Sequence, residues 1–300
     1  MDDAIQPAHP DPQPAFIDAI AAFSTGRVKI HPQHVHGSRL PSLAWILVSP
    51  TWGDWRPIHV FVIEHHDGLV LFDSGQDLAS VTDPDYYPSS PVMRLVYRRL
   101  ARFEIEPDET VTAQLAVLGY RAQDVRWVVL SHLHQDHIGG LRELTGARFV
   151  VSATEWAAMQ APNAEMAGFL PRHTDLPGAT WDKVTFEPTT DSGLAPFTSA
   201  HDLLGDGSLV LLPTPGHTAG SMSMLVRGRA APLLLVGDLT YDVDSMRRGQ
   251  VPGVGIRAEL RETSGRVLEL ERRTGGGLAI LPAHDRTSAK RLAAAGGRAR

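Results

Sequence analysis

The sequence contains no cysteine. Disulfides, thiolate zinc sites and cysteine nucleophiles are therefore excluded, and any transition metal must be held by imidazole and carboxylate. Also missing is a run of about 18 apolar residues, the length that a membrane-spanning helix needs. Positive charge is not in excess either: 28 Lys and Arg stand against 34 Asp and Glu, a net charge of −6. Without a global attraction to phosphate backbones or anionic lipid, neither nucleic acid nor a membrane is an expected partner. Asp2 and Asp3 stand where a signal peptide carries basic residues, and four prolines from Pro7 to Pro14 where it carries an apolar stretch. Export by that route is not expected, and the cytoplasm is the expected compartment.

What is present is a chain of 300 residues, 43% hydrophobic, long enough to bury a sizeable core. Residues 1–40 read as an N-terminal arm, partly flexible, and 41–300 as one hydrolase-sized domain. Ala44 to Val48 reads as a strand; Ile58 to Glu64 and Leu69 to Phe72 read as a hairpin turning at His66-Asp67-Gly68. Helical spacing of apolar residues follows over Pro91 to Phe103, then a second helix over Pro107 to Leu118. Val125 to Leu130 and Ala147 to Val151 are β-rich, and Ser152 to Glu155 has the form of a capping box. Residues 161–207 read as loops with short strands. Leu209 to Leu212, Ser221 to Val226, Leu233 to Val236 and Leu278 to Leu281 complete the strands, with a helix over Arg257 to Arg273. Antiparallel strand runs with helices between them predict an α+β fold, a single-domain αββα sandwich.

The stretch SHLHQDHIGG, Ser131 to Gly140, holds four ligand-type side chains in six residues just past a strand. Residues two apart in extended chain point the same way, so His132 and His134 can grip one ion. Asp136 and His137, turning into the next helix, face a neighbouring point. Three more candidates follow predicted strands: His217 in PTPGHTAGS, Asp238 in VGDLTY and His284 in LPAHD. Loops at strand ends can converge on one cleft. Imidazole and carboxylate suit zinc first, with manganese, iron or cobalt as alternatives. His34 with His36, and His65 with His66, have no such company and read as surface histidines.

With FDSG at Phe72 to Gly75, SHLHQDHIGG, PTPGHTAGS, Gly237-Asp238 and Ala283-His284-Asp285, the sequence resembles the metallo-β-lactamase-fold superfamily over roughly residues 43–286. The resemblance implies an αββα sandwich with a dinuclear site. His132, His134 and His217 would hold the first metal, and Asp136, His137 and His284 the second. Asp238 and a hydroxide would bridge them, and Asp73 would orient a ligand imidazole. Flavodiiron reductases carry Glu where His134 stands, and B1 β-lactamases need a cysteine ligand. B3 enzymes lack the aspartate that Asp238 supplies, and ribonuclease Z relatives need a tRNA-gripping arm that is not identifiable here. Tyr241, three residues after Asp238, is similar to the tyrosine of N-acyl homoserine lactonases, although a phenol packed at a domain edge is the alternative.

That branch implies a quorum-quenching enzyme, a metal-dependent hydrolase with two divalent ions per chain, in which a metal-bridging hydroxide attacks the lactone. Asp136, Asp238 and Tyr241 would be its catalytic residues, and a small lactone or ester its partner, with a homodimer compatible. Phosphotriesterase-like and glyoxalase II-like chemistry are the alternatives. A non-catalytic metal-binding scaffold is disfavoured because all seven ligands are present. Trp45 to Trp55 and Tyr86 to Phe103 are candidate walls for an acyl chain, with ordinary core packing the commoner role for such residues.

Overall fold

The first strand, β1 (Ile17–Ile30), lies one place in from the edge of a sheet and is buried on both faces for much of its length. The structure is a computed structural model describing residues 16–88, 90–228 and 231–299. β2 (Trp55–His65) pairs antiparallel with β1 from Ile17↔His65 to Lys29↔Trp55, and β3 (Gly68–Phe72) continues the hairpin. Residues 17–40 are therefore not an arm. The strand is hard to see in the sequence because Ala19, Ala21 and Ala22 carry little β propensity, and burial on both faces erases the polar alternation that marks a strand. The arm expected over the first fifteen residues lies outside the described residues.

The first sheet has the order β14-β1-β2-β3-β5-β6-β7, and β4 (Ala101–Glu104) adds to β1. Here β5 is Val125–Val129, β6 Arg148–Ser152, β7 Thr180–Val184 and β14 Arg298–Ala299. The second sheet runs in reverse order from β13 (Ala279–Pro282) through β12 (Leu233–Gly237), β11 (Met222–Val226), β10 (Leu209–Pro213) and β9 (Ser199–Asp202) to β8 (Glu187–Pro188). The expected antiparallel pairing holds for β1-β2-β3 and from β8 to β12. The pairs β3-β5, β5-β6, β6-β7 and β12-β13 are parallel, as their long intervening connections require.

Alternation places the core. Leu209 and Leu211 of β10 face β1–β3 between the sheets, with Phe61, Phe72 and Leu235. Val210 and Leu212 face outward onto α8 (Val243–Arg247) and α9 (Arg257–Arg273) through Val243, Leu260 and Val267. On the other side Val60, Val62 and Leu71 meet Val111 and Leu115 of α5 (Val111–Val117) and Met159 of α7 (Ala153–Met159). Two sheets with helices on both outer faces make the αββα sandwich. The remaining helices are α1 (Pro32–His36), α2 (Ser42–Val48), α3 (Ala79–Thr82), α4 (Pro91–Leu100), α6 (Gln135–Ile138) and α10 (Ser288–Ala294).

Two local expectations change. Ala44 to Val48 is the helix α2 and not a strand; Pro41 starts it, and it packs against α4. The helix expected to Phe103 ends at Leu100, where the chain straightens into β4 on the open edge of β1.

Candidate metal centre

The loop after β5 is placed by a strained neighbour. Asp73, just past β3, has a φ of 61°, a left-handed conformation rare outside glycine. Its carboxylate accepts from the Ser131 backbone N–H (2.7 Å), the Ser131 hydroxyl (2.9 Å) and His137 Nδ1–H (2.8 Å). Glycine makes the approach feasible on the far side of the loop, since a Cβ on Gly139 would lie 2.2 Å from the Asp77 nitrogen.

Four of the five imidazoles are held from behind, while His217 Nδ1 is buried without a hydrogen-bond partner. His137 donates from Nδ1 to Asp73, His284 from Nδ1 to the Pro57 carbonyl (2.8 Å) and His134 from Nε2 to the Ala167 carbonyl (2.9 Å). Ser131 spends its hydroxyl proton on Asp73, so His132 Nδ1–H donates to Ser131 Oγ (3.0 Å). In the neutral rings the opposite nitrogens carry lone pairs, and all four turn toward the same cluster of side chains. His132 Nε2, His137 Nε2 and Asp238 Oδ1 are buried without a hydrogen-bond partner. His134 Nδ1 stands 3.0 Å from His217 Nε2, and Asp238 reaches both halves of the cluster, 3.3 Å from His284 Nε2 and 3.6 Å from His217 Nε2.

Ligand atoms of His132, His134 and His217 lie within 4.8 Å of one another, as do those of His132, His137 and Asp238 and those of Asp136, His137 and His284. The seven side chains singled out by the sequence are thus brought to one cluster. Unpaired lone pairs and buried carboxylates at this density need positive charge among them, which is what a divalent cation supplies. The donor set fits metal.

The electrostatics split the cluster: burial opposes charge on His137 and His284, yet Asp73 and Asp238 hold the first, and Asp238 and Asp136 the second, above the usual histidine range, so positive charge is favoured there. Burial, reinforced by the neighbouring imidazoles, holds His132 well below the usual histidine range and His217 at about 3. Burial opposes ionisation of Asp238, yet His284 and His137 outweigh it and keep the carboxyl well below the usual carboxylate range. Burial also pushes the Tyr241 phenol well above 10, helped by the charges of Asp238 and Asp136, so its proton stays on the oxygen. The Tyr241 ring stacks on His284 at 5.8 Å and stands edge-on to His217 at 6.4 Å.

A cavity of about 530 Å³ opens on these residues. His134, Asp136, His217, Asp238, Tyr241 and His284 form its floor, and Val28, Ile30, Ile46, Val96, Leu100 and Phe103 are among its walls. The segment Pro91 to Phe103 is therefore wall more than ordinary packing, while Val92 and Leu95 on its other side face solvent. The tryptophans are not walls. Trp45 is buried against His31 and His34, Trp52 stacks on His31 at 4.1 Å, and Trp55 lies under Arg27 and Lys29. Tyr86 also lies outside the lining, packed with Tyr97 and Leu170.

A family model described as the Metallo-beta-lactamase superfamily matches residues 53–293. The chain belongs to the metallo-β-lactamase superfamily. Among curated members, it is 31% identical over 207 residues to N-acyl homoserine lactonase AttM of Azorhizobium caulinodans, covering 66% of this chain and 70% of that protein. It is 33% identical over 241 residues to the probable metallo-hydrolase Rv2300c of Mycobacterium tuberculosis, covering 76% and 74%. In fold it resembles the crystal structure of a mutant of B. thuringiensis AiiA with N-decanoyl-L-homoserine bound at the active site. The TM-score is 0.70 at 19% identity, over 91% of this chain and 96% of that one.

Several supporting residues of this superfamily member were not apparent from sequence. Glu155 is fully buried and accepts from the Leu133 N–H (3.0 Å), the Thr218 hydroxyl (2.7 Å) and the Gly220 N–H (3.0 Å). One carboxylate thus ties the His132–His134 loop to the His217 loop. Ser152 does cap α7 through the Glu155 N–H, but the Glu155 side chain serves the site and not the cap. Arg56 donates to the carbonyls of Tyr241 (2.6 Å) and His284 (3.2 Å). Two histidines read as solitary surface residues are buried: His65 bonds Asp206 (2.9 Å), and His34 lines the cavity.

Proposed function

We propose that this metal-dependent ester hydrolase opens the lactone ring of N-acyl homoserine lactones, the reaction of quorum quenching. The observation that carries the reading is the set of lone pairs aimed together by four pinned imidazoles, at the floor of a cavity whose walls are apolar. His132, His134 and His217 would hold one divalent cation, and Asp136, His137 and His284 a second, with Asp238 reaching both. Zinc is the first choice for such nitrogen and oxygen donors. A divalent centre held there would supply an acidified water at neutral pH and Lewis-acid polarisation of the ester carbonyl.

The chain's own groups do the rest. Tyr241, protonated and facing the cavity floor, donates a hydrogen bond to the ester carbonyl oxygen as negative charge builds on it. Asp136 lines the cavity and is held ionised by His284 and His137 despite burial, so it can take up a proton and deliver it to the departing ring oxygen. The apolar walls exclude water from the acyl chain. AttM is named as a lactonase of this kind, which supports the choice of substrate.

The test is a screen of metal-loaded protein against homoserine lactones, a phosphotriester, a glutathione thioester and a β-lactam, together with elemental analysis. Two metals per chain and fastest turnover on lactones are expected. A stoichiometry that stays near one, with every ligand intact, refutes the paired centre. Turnover of the phosphotriester or thioester far above every lactone moves the protein to another branch of the superfamily.

A further inference from the structure

His34 lies one turn beyond the end of β1, in a segment fixed on every side. The neighbouring His31 ring sits between the Thr51 carbonyl (2.6 Å) and the Arg99 carbonyl (2.7 Å), and Gly253 N–H donates to the His34 carbonyl (3.1 Å). These contacts bind α1 to the loop before β2, the end of α4 and the loop before α9. The His34 ring stands edge-on to Trp45 at 4.7 Å and to Tyr241 at 6.3 Å, and parallel to His31 at 6.0 Å. Its Nδ1 accepts the backbone N–H of His31 at 3.1 Å.

That last bond settles the tautomer. An Nδ1 that accepts leaves the single proton of a neutral ring on Nε2. The ring is neutral because burial, followed by repulsion from His31, holds it down to about 3. Nδ1 is turned to its own backbone and the ring faces are covered, so the Nε2 edge is the one left for the cavity that His34 lines. Among the described residues none accepts from it. The ring is 3% exposed, and the edge it does expose carries an N–H with no protein acceptor, a hydrogen bond left for a bound molecule to take.

Position along the cavity identifies the group that would accept. Tyr241 stands between His34 and the ligands His284 and His217. His34 is thus one ring farther from the metal floor than the phenol proposed to meet the ester carbonyl. In an N-acyl homoserine lactone the amide carbonyl follows the ester by one ring carbon and one nitrogen, and the acyl chain follows the amide. The cavity offers matching groups: Tyr241 beside the ligand rings, His34 one ring farther out, and apolar side chains such as Leu43 and Ile46 in the same lining. Resting on the lactonase reading, we infer that His34 Nε2–H donates to the amide carbonyl of the substrate and so selects acylamino-substituted lactones over lactones without an amide.

The test compares kcat/KM for N-hexanoyl homoserine lactone and for an α-alkyl γ-butyrolactone of equal chain length, on metal-loaded wild type, His34→Leu and His34→Gln. Wild type should prefer the amide-bearing lactone by about tenfold or more, the worth of one well-placed hydrogen bond with its desolvated partner. His34→Leu should lose about tenfold to a hundredfold on that substrate, mostly in KM, and less than about threefold on the alkyl lactone. His34→Gln, which keeps an N–H donor, should recover most of the loss. Equal losses on both substrates, or none on either, overturn the assignment and leave His34 a packing residue. If His34→Leu loses metal or its cooperative melting, wild-type parity between the two substrates still refutes the inference. Absence of lactone turnover in wild type fails the lactonase reading itself, a result distinct from turnover without amide preference.

Discussion

Replacing Tyr241 by phenylalanine removes one hydroxyl and leaves the ring against His284. The expected outcome is a fall in kcat for lactone of about tenfold to a hundredfold with metal content unchanged, read by steady-state kinetics beside elemental analysis. Unchanged kinetics would reduce the residue to packing. His132→Ala should instead remove metal and activity together. His65→Ala should leave both in place while lowering stability by about 1–3 kcal/mol, because its buried ring bonds Asp206 and Ser208; denaturant unfolding measures the loss. The seven candidate ligands that cluster in the structure were legible in the sequence because they lie in short loops directly after apolar strands, where local pattern is enough. His34, His65 and Glu155 were not. Their roles depend on partners such as Tyr241, Asp206 and Thr218, far along the chain, and no local spacing records such a meeting.

α7 holds the clearest case of an element acting on the centre from outside. Glu155 is the joint between two ligand loops, and burial pushes its carboxyl above the usual range despite the donors around it. In Glu155→Gln one oxygen becomes an NH₂ group, which must face either the Leu133 N–H or the Thr218 and Gly220 donors. Metal affinity should fall about tenfold to a hundredfold while kcat at saturating metal is kept, as a titration against a chelator would show. A loss of kcat with affinity intact would contradict this. α9, with one wet face, and the β2-β3 hairpin, with its β-branched run and its turn at His66-Asp67-Gly68, were readable from sequence. β1 and α2 were not: double burial hid the strand, and the short apolar run in α2 suits strand or helix until α4 packs on it.

For the molecule as a whole, the cavity sets how much of a substrate can be covered. Each acyl methylene buried against Ile30, Ile46, Val96 and Leu100 contributes up to about 0.8 kcal/mol, so kcat/KM should climb with chain length and level off when about 530 Å³ is filled. Initial rates on a series of acyl chains decide it; a flat response would mean that the walls are not used. Stability should respond to acid through His173, which burial and the nearby Arg172 and Arg142 hold at about 4. Below about pH 6.5 the unfolded chain takes up a proton that the folded chain refuses. That contribution is therefore complete above pH 6.5 and is lost as pH falls toward 4, and His173→Gln should flatten the decline in urea midpoints between pH 7 and 5. The sandwich architecture was legible from the count and spacing of strands; which strands run parallel was not, since pairing partners are chosen across long connections. One such pairing, β12 with β13, brings His284 in beside Asp238. His284 is also the last of the seven candidate ligands along the chain, so its group with Asp136 and His137 is not complete until β13 has joined β12.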